Sequence, residues 1–180
     1  ADISAYLGIR YGTAARWERA VLASDYQNEE TIPAQSYGDI CPQPGFEVHP
    51  TMYDMRFADP IQIQQRQSED CLFLNVWATK DASNAPAMVF IHGGAFITGS
   101  SSAGITLDSE TKALDITSGA YNGQGLVAAA EAAGRQLVVV TINYRLGALG
   151  FFYHDARGET SAPGNFGITD QQLALQWVHN

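Results

Sequence analysis

APAMVFIHGGAFITGS, residues 85–100, is the stretch on which the reading of this chain turns. Ala87 to Ile91 is a short apolar run holding Val89, Phe90 and Ile91, bounded by Pro86 and by a glycine pair, and it predicts a strand buried on both faces. The run ends at His92-Gly93-Gly94. Two adjacent glycines at the carboxyl end of such a strand permit backbone conformations that side chains forbid, and they let main-chain N–H groups approach a ligand closely. An anion hole can be built that way. A plain glycine turn that only ends a strand is the alternative, and the neighbouring segments decide between them.

Downstream, Gln124 to Ala133 (QGLVAAAEAA) is alanine-rich without a breaker, and Gly134 suits the position just past a helix end, so a helix is predicted. Gln136 to Asn143 (QLVVVTIN) is β-branched with little alternation, the pattern of a central parallel strand. Strand, helix and buried strand in succession describe a βαβ crossover. A loop with Gly150, Gly158, Pro163 and Gly164 follows. Thr169-Asp170-Gln171-Gln172 then reads as a capping box with Thr169 as N-cap, opening a helix that packs Leu173, Ala174, Trp177 and Val178 on the sheet. Upstream, Leu72 to Ala78 predicts a strand, and Ile3 to Tyr11 a small antiparallel strand pair near the surface. Residues 22–67 lack periodicity and read as a long irregular excursion.

Composition narrows the function classes. Apolar residues make up 46% of the 180, enough for a core, and ten basic residues against nineteen acidic give a net charge of −9. With no run of Lys or Arg, a nucleic-acid or anionic-membrane partner is not expected. Apolar stretches are broken well before a membrane-spanning length, and no signal-like segment precedes Ala1, so the expectation is a soluble chain already processed at its amino end. Asp108, Glu110 and Asp115 lack the spacing of a calcium loop, and neither a metal nor a cofactor is expected. Cys41 and Cys71 are the two cysteines, compatible with one disulfide or with two buried thiols. Gly123-Gln124-Gly125-Leu126-Val127-Ala128 matches G-x-G-x-x-A, but Thr117 to Asn122 is no strand, and Leu137 to Asn143 ends without the acid a ribose would need.

In chain order, five segments carry a resemblance: Gly8-Ile9-Arg10-Tyr11 with Arg16-Trp17; Ser68-Glu69-Asp70-Cys71-Leu72-Phe73-Leu74-Asn75-Val76-Trp77; His92-Gly93-Gly94-Ala95-Phe96; Asn143-Tyr144-Arg145-Leu146-Gly147; and the run from Gly164 to Val178. Together they resemble the type-B carboxylesterase/lipase family of α/β-hydrolases, which includes cholinesterases. The resemblance implies the N-terminal portion, residues 1–180, of a single α/β-hydrolase domain with a central, mostly parallel sheet and a small N-terminal antiparallel strand pair. It also implies ester hydrolysis through an acyl-serine. The N–H groups of Gly94 and Ala95 would be the oxyanion donors, with Gly93 providing the turn. Phe96 and Tyr121 would meet the substrate, and His92 would brace the loop. Cys41 and Cys71 look like the family's first disulfide, which implies a secreted or periplasmic protein. Arg145 with Asp170, and Arg16 with Glu69, look like its buried ion pairs.

Several departures matter. Only Gly12-Thr13-Ala14-Ala15 stands where the family has a Pro-rich stretch, and the loop between Gly99 and Tyr121 is long. No Trp lies between Cys41 and Cys71 to face a quaternary ammonium, so a choline ester fits poorly, although Tyr53 or Phe57 could line a pocket. No Gly-x-Ser-x-Gly occurs in these residues. Serine, Asp or Glu, and the catalytic histidine are therefore expected on the carboxyl-terminal remainder, as a second polypeptide or a continuation, because His49, His154 and His179 read as polar loop or helix-end residues. A small ester is the expected substrate. A catalytically inactive adhesion or scaffold relative is the alternative.

Overall fold

A computed structural model describes residues 2–23, 34–44, 66–102, 106–107, 114–115, 121–155 and 162–180. Along the chain come β1 (Ile3–Arg10), β2 (Gly12–Thr13), β3 (Val21–Leu22), β4 (Phe73–Thr79), β5 (Ala87–Ile91), β6 (Thr106–Leu107), β7 (Leu114–Asp115), α1 (Gln124–Ala132), β8 (Val138–Ile142), α2 (Gly147–Phe151), β9 (Tyr153–His154), β10 (Ala162–Pro163) and α3 (Phe166–His179). Four strands form the main sheet in the order β1-β4-β8-β5. β5 and β8 pair in parallel from Ala87↔Val138 to Ile91↔Ile142, joined through α1, so the predicted crossover is present. β4 runs antiparallel to both β8 and β1. His49, Tyr53, Phe57, Asp108 and Glu110 lie outside the described residues.

β8 is the buried centre of this sheet, and its Val139 and Val140 point to opposite faces, as the near-continuous apolar run requires. On one face Leu74, Val140, Ile142 and Tyr144 pack with Tyr11, Cys41, Cys71 and the Ala174 side of α3. On the other, Trp77 and Val139 pack against Val127 of α1. α1 ends as its glycine predicts: Gly134 has φ 69°, its N–H donates to Glu131 O, and Arg135 N–H donates to Ala130 O. These are the two bonds of a Schellman cap.

Four expectations need correction. Ala87–Ile91 is a strand but is not buried on both faces: β5 is the last strand of the sheet, and Met88, Phe90 and Ile91 stay more than a third exposed. Val89 packs against the core and the Phe90 ring meets Tyr121, but among the described residues no strand pairs with the far edge of β5. Ile3–Arg10 is one strand of the main sheet; the small antiparallel pair near the amino end is β2 with β3. A register shift between Tyr6 and Ile9 lets Gly8, at φ 71°, turn its N–H onto Asn75 Oδ1 at 2.9 Å.

α3 begins a turn before Thr169. Asn165 is its N-cap, in the left-handed region at φ 55°, and Ile168 and Thr169 donate N–H bonds to Asn165 O. Phe166 is fully buried, and Gly167 lies too close to the Arg145 carbonyl and the Phe151 ring to carry a Cβ, so packing extends the helix past the sequence cap. Thr169 Oγ1 bonds back to Phe166 O at 2.9 Å instead of capping. Finally, Arg16 and Glu69 do pair, but at the surface, with side chains 57% and 40% exposed. Arg16 sits in the turn between β2 and β3, where no element covers it among the described residues.

Candidate functional site

Past Ile91 the chain makes a tight loop. Gly94 (φ 118°), Ala95 (φ 54°) and Phe96 (φ 60°) are three consecutive residues at positive φ, and Gly99 (φ 118°) closes the excursion. Ile97 and Thr98 both donate their N–H to Gly94 O, at 3.0 and 3.1 Å. A Cβ on Gly94 would come within 2.6 Å of the Thr98 carbonyl carbon, so a side chain there cannot coexist with this loop. Gly93, by contrast, is not among the positive-φ residues, and a Cβ on it would meet nothing within 4 Å. The turn expected at Gly93 is thus made by Gly94, Ala95 and Phe96. Ala95 and Phe96 hold a conformation that costs a non-glycine residue roughly 1–2 kcal/mol, a strain that surrounding contacts must maintain.

Those contacts come from the next strand and its sequel. Tyr144, just past β8, donates its hydroxyl to His92 O at 3.0 Å, and its ring stacks on the His92 imidazole with centroids 4.4 Å apart. Gly147 N–H donates to Phe96 O at 2.7 Å, and the Phe96 ring packs on Phe151 at 5.1 Å. Gln43 clasps Gly99 by both of its polar atoms: Oε1 accepts the Gly99 N–H at 2.7 Å, and Nε2 donates to Gly99 O at 2.9 Å. Asn143 Oδ1 takes the Ser101 N–H at 2.7 Å, while its Nδ2 donates to Asp39 O and Cys71 O.

His92 is buried, with Nδ1 bonding Gly93 O at 2.9 Å, which places the proton on Nδ1. Its Nε2 is buried and has no hydrogen-bond partner among the described residues. Burial pushes the imidazole below its usual titration range, against the smaller opposing pull of the Gly93 carbonyl. A neutral ring packed under the glycines suits the bracing role, not that of a catalytic base.

The loop leaves a short run of exposed main-chain amides. Among the described residues, the N–H groups of Gly93, Gly94 and Ala95 donate to no protein acceptor, and all three residues are exposed. Successive N–H groups around residues of positive φ make an anion-binding concavity. Phe96, 49% exposed, stands at its side. Tyr121 lies elsewhere, its ring 4.5 Å from Phe90 in a cleft of about 580 Å³ between β5 and α1. Phe96 and Tyr121 share no ring partner, since Phe96 packs on Tyr144 and Phe151.

Beneath the loop, Cys41 and Cys71 form a disulfide. Arg145 binds Asp170 bidentately, Nε to Oδ2 and Nη2 to Oδ1 both at 2.8 Å, and its own N–H adds a third bond to Oδ2. Both side chains are almost wholly buried. Tyr11, also buried, donates its hydroxyl to Asn143 O at 2.7 Å; burial, with the Asp170 charge, raises its pKa well above the ordinary range. Sequence motifs marked Asn143 and Tyr144 without revealing these braces. Gln43 escaped notice, because a glutamine two residues past a cysteine carries no signal of its own.

Known proteins resemble this chain in sequence and in fold. The sequence profile of the Carboxylesterase family covers residues 1–180. The chain is 36% identical over 182 residues to the acetylcholinesterase of Danio rerio, covering 98% of this chain and 24% of that protein. It is 37% identical over 151 residues to the para-nitrobenzyl esterase of Bacillus subtilis (strain 168), covering 83% of this chain and 25% of that protein. Among solved structures, a PNB esterase superposes with TM-score 0.68 at 32% identity, over 98% of this chain and 30% of that one. A thermophilic PNB esterase superposes at 0.66, likewise at 32% identity, over 98% and 31%. The chain therefore spans about a quarter of the length of these curated relatives. The α/β-hydrolase fold expected above is the fold of the two solved esterases. By its sequence profile, its relatives and its fold, this chain belongs to the carboxylesterase family.

Proposed function

We propose that the full-length protein is a serine carboxylesterase in which residues 1–180 supply the oxyanion hole. The observation that carries this reading is the pair of exposed amides, Gly94 and Ala95, on a strained loop held from three sides. A serine on the carboxyl-terminal remainder, activated by a histidine oriented by Asp or Glu, adds its Oγ to an ester carbonyl. The carbonyl oxygen becomes an anion, and the two amides stabilise it. Collapse of the adduct expels the alcohol, and water releases the acid. Preorganised donors of this kind are each worth about 3–4 kcal/mol in the transition state. Phe96 offers apolar surface next to the reacting carbonyl, and Tyr121 would extend the apolar wall toward Phe90.

The remainder would also have a place to dock, because among the described residues no strand pairs with the far edge of the apolar strand β5. The disulfide supports an oxidising, secreted or periplasmic setting. Among the described residues no helix is long and apolar enough to cross a membrane.

Labelling the complete protein with a fluorophosphonate, which reacts only with an activated serine, tests the reading. One equivalent of label, with hydrolysis of a small ester that is lost on labelling, is the expected result. A folded, unlabelled protein would leave the inactive adhesion or scaffold relative instead.

A further inference from the structure

Gln43 belongs to the disulfide segment, two residues past Cys41, yet its side chain reaches across to Gly99 at the far end of the amide loop. Its Nε2 also donates to Cys41 O at 3.1 Å, and its own N–H donates to Gln67 Oε1 at 2.8 Å. The primary amide is therefore anchored at its base on the disulfide segment and spends its head on both backbone groups of one residue. That residue is tightly confined. Gly99 has φ 118°, and a Cβ on it would fall 2.9 Å from His92 Cε1 and would overlap the Gly93 carbonyl. Its backbone thus lies directly against His92 and Gly93, the residues that lead into Gly94 and Ala95.

We infer that Gln43 is a positioning residue for the anion hole. By holding Gly99 against His92 and Gly93, it sets the direction of the two amides, so that the Cys41–Cys71 segment fixes catalytic geometry as well as stability. Of the three ties on the loop, Tyr144 secures its entry, Gly147 its crown and Gln43 its exit. Loss of the exit tie lets Gly99 slide from His92 and lets the amides tilt. Misplacement by a fraction of an ångström weakens charge stabilisation in the transition state and leaves ground-state binding nearly intact. This inference rests on the oxyanion-hole reading.

The test uses the full-length enzyme with Gln43→Ala and with Gln43→Met, which keeps the length of the side chain without its polar head. Rates are referred to serine titrated with fluorophosphonate, so only folded enzyme is counted. Both variants are expected to lose about tenfold in kcat with KM within about twofold of the parent, and to bind a trifluoromethyl ketone about tenfold more weakly. Unchanged kcat per titrated serine, even with a lower melting temperature, would overturn the inference and leave Gln43 a structural clasp. So would the absence of titratable serine in both variants, which would mark a residue needed for folding. Gly94→Val, measured alongside, separates the two levels: if it keeps full turnover, the anion hole itself is misassigned, whereas its loss with normal Gln43 variants rejects only the positioning role.

Discussion

Gly94 carries the largest consequence of any single residue in this chain. Its φ of 118° and the nearness of the Thr98 carbonyl mean that any side chain must displace the loop that carries the proposed oxyanion amides. If the proposed oxyanion hole is right, Gly94→Val in the full-length protein is expected to lower kcat at least about tenfold while the melting temperature stays within a few degrees, because the loop is exposed. Ala95 makes the opposite case: at φ 54° it pays for a left-handed conformation, and Ala95→Gly should raise unfolding free energy by about 1 kcal/mol, read from a denaturant titration. His92 adds a pH dependence. Its folded pKa is depressed by burial, so below the ordinary value of 6.5 the unfolded chain takes up a proton that the folded chain refuses. Stability is complete above that value and falls as pH drops toward the depressed folded pKa. Replacing His92 with Asn should flatten the slope of unfolding free energy between about pH 5 and 7; an unchanged slope would assign the acid sensitivity to other groups.

At the scale of elements, two ion pairs that look alike in sequence separate once burial is known. Asp170 sits in α3 with Arg145 wrapped around it and no solvent, so Asp170→Asn should cost roughly 3–5 kcal/mol by stranding a buried guanidinium. Glu69→Gln removes only an exposed partner of Arg16 and should cost under about 1 kcal/mol. The strand–glycine–helix–strand run was legible because β-branched residues, an alanine-rich helix and Gly134 each state a local preference that packing does not oppose. The start of α3 was not, since the local signal of Thr169 lost to burial of Phe166 and to the close approach of Gly167 to Arg145. β1 was misread for a similar reason. Its pairing with β4 lies some seventy residues away, and the Gly8 bulge breaks the alternation that would announce one continuous strand. The glycine loop showed in the sequence as a motif, but the residues that clamp it, Tyr144, Gly147 and Gln43, are brought there by tertiary structure alone.

At the scale of the whole molecule, the Cys41–Cys71 disulfide, the buried Arg145–Asp170 pair and the amides of Asn143 and Gln43 converge on the glycine loop among the described residues. The Cys41–Cys71 bridge closes a segment of 30 positions, for which chain entropy gives about 3.6 kcal/mol. A Cys41→Ser, Cys71→Ser double variant should lose about that much stability and, through Gln43, part of its turnover. Residues 1–180 expressed alone should self-associate through the edge of β5 that no strand covers among the described residues, where Met88, Phe90 and Ile91 are exposed; a monodisperse, cooperatively unfolding monomer would speak against the need for a remainder at that edge. The central claim is that the amides of Gly94 and Ala95 face a serine and hold the oxygen of its adduct. A crystal structure of the full-length protein with that serine phosphonylated tests it most directly. The phosphonyl oxygen is predicted to lie about 2.7–3.1 Å from both nitrogens; an oxygen pointing away from them, or bound by donors from other segments, would contradict the account.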